Sequence, residues 1–244
     1  MYYNYKDGKT RVKDILNGNL QVIKKDKVPC DDDFTFENAY KCWVTGIFVD
    51  IRNSTDLFAE QNQTMVAKII KSFSSEVIEI LRDSNYCNEI GIRGDCVYAV
   101  YSTPKQNDTY EITDKAFWIN TLLKMLNKLF EEKKYLKITA GIGISTAEEL
   151  VIKAGRKGVG INSKVWIGDA VTKASKLSSL SNKNNIGPIA MSDCTYFNMI
   201  ELLKKDNTDA EKWFTEKMDD NYGKYYHCGV VKSEFNKWID GGMK

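Results

Sequence analysis

Two aspartates carry the chemistry this sequence offers most openly. Asp50 closes an otherwise apolar run, GIFVDIRNST, and Asp95 sits in a Gly-Asp turn, GIRGDCVYAVY. A carboxylate at the end of a hydrophobic strand is costly to bury unless it is paired or ligated. Two carboxylates brought to one point, joined by substrate phosphate oxygens, form the usual oxygen-rich setting for magnesium or manganese. Two such ions, about 3.5–4 Å apart, activate an attacking oxygen and stabilise a leaving one. Asn53, Ser54 and Thr55 follow Asp50 and offer backbone amides and hydroxyls where a helix begins, a place that accepts anions. Taken singly, Asp95 could fill its turn and Asp50 could cap the next helix. Together they point to phosphoryl chemistry at a metal pair.

For the two carboxylates to meet, the strand ending in Asp50 must lie beside the hairpin that carries Asp95. Residues 41–51 are rich in β-formers (Trp43, Val44, Ile47, Phe48, Val49) and read as a buried strand. Met65, Val66, Ile69, Ile70, Phe73, Val77, Ile80 and Leu81 recur at helical spacing. Residues 88–101 read as two strands joined at the tight Gly94-Asp95 turn. A helix is predicted over 113–132, a strand over 135–145 and a separate strand over 150–154. A Gly-flanked turn at 155–160, a strand over 164–167 and a helix over 169–180 come next. The tail holds a strand at 188–191, a helix from 193 and a strand over 224–231. The order is β-α-β-β-α-β with further αβ units. That predicts an α+β fold of the ferredoxin-like, split βαβ kind, an antiparallel sheet with helices mainly on one face. Residues 1–36 are polar and mixed, with one short helix at 12–16 and a connector through Pro29 and the acidic triplet Asp31–Asp33. They read as an N-terminal arm before a catalytic domain at 37–244 that includes the αβ tail.

Composition narrows the partners. Lys plus Arg number 35 against 33 Asp plus Glu, so a net charge of +2 gives no bulk attraction for nucleic acid, and no direct nucleic-acid partner is expected. With 43% hydrophobic residues the chain can offset the entropy of ordering, which excludes disorder. The N-terminal MYYNYKDGKTRV lacks the apolar stretch of a secretory signal, and no run nears the roughly 18–20 apolar residues of a membrane span. Six cysteines without a CxxC, and a single histidine, His227, predict buried thiols in a reducing compartment and no zinc centre. A cytoplasmic protein without a membrane partner is expected. GRKGVGINS is not a P-loop, since no GK[ST] follows the gap. His227 reads as a tail-strand residue, not a base, and Tyr40 and Trp43 as core packing.

Over about 40–200 the chain resembles the class III nucleotidyl cyclases. FVDIRNST is similar to the family's F-x-D-I-x-x-x-T strand and turn, and GIRGDCVYAVY to its K-x-x-G-D hairpin. AGIGIST resembles the third core strand, and VWIGDAVTKASKLSSL the W-G-x-x-V-N-x-A-x-R-M helix. The resemblance implies a homodimer with sites between subunits. It also implies two divalent ions (Mg²⁺ or Mn²⁺) held by Asp50 and Asp95, with the Ile51 carbonyl as an added ligand. The ribose 3′-hydroxyl would attack the α-phosphate and expel pyrophosphate. The family's transition-state asparagine and arginine become Thr172 and Lys176, four residues apart and so on one helical face.

The departures from the family pattern concern the base. Purine cyclases place a lysine four residues before the second metal aspartate, and here that residue is Gly91. They place an aspartate, cysteine or threonine just before the W-G pair, and here Val165 precedes Trp166. Arg93, two residues before Asp95, shares its face of the strand, could donate to a base carbonyl, and would fill space a purine needs. Together with the Gly-flanked Arg156-Lys157, which could reach the triphosphate across an interface, these features resemble the bacterial pyrimidine cyclases of the Pycsar antiphage system. That resemblance implies UTP or CTP as substrate, a cyclic nucleotide messenger and an effector that senses it. UTP is preferred, because arginine can donate to either uracil carbonyl whereas cytosine presents a donor amine. An adenylate or guanylate cyclase with unusual base readers, or a catalytically silent dimeric nucleotide sensor, are the competing readings. A diguanylate cyclase would need a GG[DE]EF hairpin, which GIRGDC is not.

Overall fold

Asp50 lies at the end of a central strand. In the computed structural model, which describes residues 2–54, 62–158, 160 and 162–244, that strand is β2 (Asn38–Ile51). It pairs antiparallel with β4 (Cys96–Ser102) on one side and with β5 (Ala140–Gly155) on the other. β3 (Cys87–Arg93) completes the hairpin on β4. Beyond β5 come β7 (Ile189–Ser192), β9 (Gly223–Cys228) and β8 (Phe214–Asp219), giving the sheet order β3-β4-β2-β5-β7-β9-β8. β1 (Gln21–Lys24) runs parallel beside the start of β2, and β6 (Asn162–Ile167) pairs with the far half of β5. The pairing is antiparallel except at β1–β2 and β5–β7, so the α+β fold read from the sequence stands.

The two faces of the sheet are covered differently. On one face Ile47, Val49 and Ile51 of β2 and Ile142 and Ile144 of β5 meet three helices. Ile69, Phe73, Val77 and Leu81 come from α2 (Gln63–Arg82), and Ile112, Phe117, Leu122 and Leu126 from α3 (Gln106–Glu132). Met199, Ile200 and Leu203 come from α5 (Asp193–Asp206). Four-residue spacing in α2 lines its buried residues along one stripe. On the opposite face lies α4 (Asp169–Leu180), which meets backbone at the glycines of β5 as well as side chains of the sheet. A Cβ added at Gly143 would stand 2.1 Å from the Ala174 carbonyl and from the Ser178 amide nitrogen, so only glycine lets α4 come this close. Among the described residues no helix is long and apolar enough to cross a membrane.

Several boundaries differ from the sequence expectation. The strands predicted at 135–145 and 150–154 are one strand, β5. Its polar middle reads as a break, yet each residue there has a partner. Thr146 bonds Thr45 and Thr195, Glu148 pairs with Lys24 and Lys41, and Glu149 accepts from the amides that open α4. α3 starts seven residues earlier than predicted, at Gln106, because the Asp108 carboxylate accepts from the Lys105 amide (2.9 Å) and closes the first turn. The polar N-terminal segment forms α1 (Tyr5–Asn17), capped by Asn4, and then β1, which joins the main sheet. Val28 and Phe34 are buried against Tyr40, Cys42 and Val44. The late strand ends at Cys228; its partner β8 and a last helix, α6 (Ser233–Asp240), had no periodic signal strong enough to read. All six cysteines are free thiols.

Candidate active site

Register fixes which side chains share the face occupied by α4. Arg93, Cys96, Asp50 and Gly141 are consecutive cross-strand partners along one row, and Gly91, Tyr98, Phe48 and Gly143 form the next. Alternation along each strand therefore puts Asp50, Arg93, Gly91, Tyr98 and Phe48 on one side. Gly94 adopts φ 64° and turns the hairpin so that Asp95 follows directly. Asp95 stands near enough for its charge to act on Asp50. Burial pushes the Asp50 carboxyl up, Arg52 pulls it down, and Asp95 pushes it up again.

Arg52 is the residue that sequence reasoning missed. Its side chain is only 5% exposed, against 27% for Asp50. The guanidinium pairs with the Asp50 carboxylate, donates to the Asp50 carbonyl (3.1 Å), and reaches the Ser179 carbonyl on α4 (3.0 Å). It so ties the end of β2 to the end of α4 with charge-assisted bonds. A charge two residues after the aspartate was the available signal, hidden by its position in a polar turn.

The donor set suits a hard divalent cation. Two carboxylates repel each other until a cation joins them, and Ile51 can add only backbone, since its side chain is 3% exposed and packed in the main core. Among the described residues no group of three His, Cys, Asp or Glu is placed to hold a metal ion, so further coordination would come from phosphate and water oxygens. Asn53, exposed and at φ 54°, and the half-buried Ser54 follow at once. Thr55 lies outside the described residues.

The other candidate residues lie on α4, on β6 and in the turn after β5. Thr172 and Lys176 are both exposed, one turn apart on α4. Lys176 Nζ lies 5.0 Å from the centre of the Tyr222 ring, at the tip of the β8–β9 hairpin. The charges acting on Asp50 are Arg52, Asp95 and Lys183, not Lys176. Arg156 is exposed after β5, and its neighbour Lys157 pairs with Glu37 (2.9 Å). Val165 is 39% exposed on β6 and alternates with Trp166, so the two point to opposite sides.

The residues expected to meet the base pack closely around Gly91. A Cβ at Gly91 would lie 2.5 Å from the Tyr98 ring, so the absence of a side chain there is what lets the tyrosine cross β3. Phe48 stacks on the same ring, with centroids 5.1 Å apart and planes 12° from parallel. Tyr40 is core, as expected, with its hydroxyl donating to the Asp33 carbonyl (3.1 Å). Trp43 is instead 41% exposed. His227 is a strand residue far from any base role: its Nδ1 accepts from the Gly187 amide (3.0 Å).

Comparisons with known proteins agree with this fold. Residues 37–214 match the family model described as the adenylate and guanylate cyclase catalytic domain. A uridylate cyclase of Treponema porcinum is 48% identical over 100% of this chain and 83% of its own length. A uridylate cyclase of Gulbenkiania mobilis is 28% identical over 98% of this chain and 96% of its own. Among solved structures, the adenylyl cyclase CyaB from P. aeruginosa superposes with a TM-score of 0.63 at 20% identity, covering 78% of this chain and 95% of that one. The guanylyl cyclase Cya2 gives 0.61 at 15% identity, covering 80% and 96%.

Proposed function

The chain belongs to the adenylate and guanylate cyclase catalytic domain family, the class III nucleotidyl cyclases, and from that premise we propose that it is a uridylate cyclase. It converts UTP to 3′,5′-cyclic UMP and pyrophosphate. The observation that carries this reading is the base end of the site: Arg93 shares the face of Asp50, and Tyr98 crosses the glycine that replaces the purine-reading lysine. The relatives named as uridylate cyclases support the same substrate.

Asp50, Asp95 and the Ile51 carbonyl would hold two divalent ions, Mg²⁺ or Mn²⁺. When bound, such ions favour the ionised 3′-hydroxyl and neutralise charge on the leaving pyrophosphate. Arg93 donates to a uracil carbonyl and orients the base. The amides and hydroxyls of Asn53, Ser54 and Thr55 receive phosphate oxygens. The 3′-oxygen forms its bond to the α-phosphorus as the bond to the β-phosphate bridging oxygen breaks, and the hydroxyl proton passes to solvent. Positioning and charge dominate this chemistry, so no strong side-chain base is needed.

Thr172 and Lys176 act from the second subunit of a homodimer. Lys176 supplies positive charge to the equatorial phosphate oxygens as a point charge, and Arg156 adds another near the triphosphate. Val165 lines the base end without a polar group that would read a purine edge. Residues 1–36 brace the catalytic domain at 37–244. The product serves as an antiphage messenger for a cyclic-nucleotide-sensing effector, in the cytoplasm and without direct nucleic-acid or membrane contact. Purified protein with Mn²⁺ and each of the four NTPs tests the reading: cyclic UMP as the dominant product is expected. Dominant cyclic CMP would move the assignment to a cytidylate cyclase, and dominant cyclic AMP or cyclic GMP would overturn the pyrimidine claim.

A further inference from the structure

Glu89 lies outside every role assigned above, yet its carboxylate joins three strands. Tyr98 of β4 donates its hydroxyl to Glu89 Oε1 (2.7 Å), and Trp166 of β6 donates its indole N–H to Glu89 Oε2 (2.7 Å). Each oxygen thus holds a different aromatic ring. β6 is fastened to β3 a second time by Lys164, whose ammonium donates to the Asn88 carbonyl (3.1 Å) and pairs with Asp31. The Tyr98 ring is consequently fixed on three sides: over Gly91, against the Phe48 ring, and at its hydroxyl by Glu89. Arg93 lies two residues further along the same strand face, and its charge is felt by Tyr98.

We infer that Glu89 is a positioning residue for base selection: it clamps Tyr98 and Trp166 into one rigid wall beside Arg93. This deepens the uridylate-cyclase reading and rests on it. A carboxylate suits the task because it accepts two bonds at once and makes each of them stronger by its charge. Burial and the bond to Glu89 push the Tyr98 phenol up to about 12, so it remains a donor at any working pH. With the ring pinned over Gly91, Tyr98 occupies the strand face next to Arg93. A purine must displace Tyr98, and the clamp resists that displacement.

The test compares E89A, E89Q and Y98F with the unaltered protein in two assays. One is kcat/KM for UTP and for ATP with Mn²⁺; the other is equilibrium binding of non-cyclisable UTP and ATP analogues. E89A is expected to lower the UTP-to-ATP ratio by about 10- to 100-fold, in the range that misplaced pocket contacts produce. Most of the change should appear as weaker UTP analogue binding and a gain in ATP analogue binding. E89Q should stay near the original ratio, since its amide oxygen accepts from Trp166 while its NH₂ donates to the Tyr98 oxygen. Y98F removes only the hydroxyl and should reproduce part of the E89A effect, which keeps the test open if E89A fails to fold. An unchanged ratio in folded E89A or in Y98F, with the unaltered protein still making cyclic UMP, overturns the clamp and leaves the uridylate reading intact. A purine preference in the unaltered protein overturns both.

Discussion

The end of β2 and the outer face of α4 carry the two halves of the proposed chemistry, and they are built in opposite ways. At the β2 end, cross-strand register, a Gly-Asp turn and a nearly buried arginine assemble Asp50, Asp95 and Arg93 within one chain. On α4, Thr172 and Lys176 are exposed, and the Lys176 ammonium sits over an aromatic ring from the tail hairpin. A metal pair would tolerate little positional error, and here the strand ladder fixes Asp50 while the tight turn between β3 and β4 fixes Asp95. A charge that acts on the finished substrate can be supplied by a second copy. The difference is what the proposed site, shared between subunits, would require.

Breaking the β2 end should cost most. D95A removes a carboxylate from a half-buried turn, and cyclic UMP formation should fall by about a thousandfold or more, several kcal/mol of transition-state stabilisation. Its melting temperature should stay close to the original, and a differential scanning trace checks this alongside the turnover assay. K176A should lower kcat by about 100- to 1,000-fold with a smaller change in KM, as expected for a group that acts on charge in the transition state. A KM effect alone would place Lys176 in ground-state binding. R52A separates scaffold from chemistry: losing its bonds to the Asp50 and Ser179 carbonyls should cost about 2–3 kcal/mol of stability, read from urea unfolding. Y222A should be milder. The cation–π contact is worth about 0.5–1 kcal/mol at such a site, so kcat should drop only a few-fold, with the loss absent in a K176A background.

The smallest effect lies away from both regions. Burial and Lys217 hold the His227 imidazole below the usual histidine range, so the unfolded chain binds its proton more readily. Stability should be full above the usual histidine range and decline as pH falls through it toward the lowered folded value. An H227Q variant should lose that dependence in a pH series of melting curves.

Much of the β2 end was legible in the sequence because its signals are local. An aspartate closing an apolar run, a Gly-Asp turn and two β-rich segments suffice to place Asp50 on a strand and Asp95 in the turn of the neighbouring hairpin. What escaped depended on contacts between distant residues. The polar middle of β5 reads as a loop until Thr45, Lys24 and Lys41 are seen to satisfy it. Arg52 reads as a turn residue until Ser179 comes into reach, 127 positions away in sequence. Glu89 shows no pattern of its own, because its meaning lies in Tyr98 and Trp166 on two other strands. The first seven residues of α3 were missed for a different reason: Asp108 and Thr109 are polar yet buried, and they blur the helical stripe.

Mixing D95A with K176A tests the shared site most directly. Each variant alone should be nearly inactive on UTP, while the mixture should regain cyclic UMP formation, because a mixed dimer holds one site with both carboxylates and the lysine intact. A mixture no more active than its separate components, with subunit exchange verified by differently tagged chains, would contradict the account.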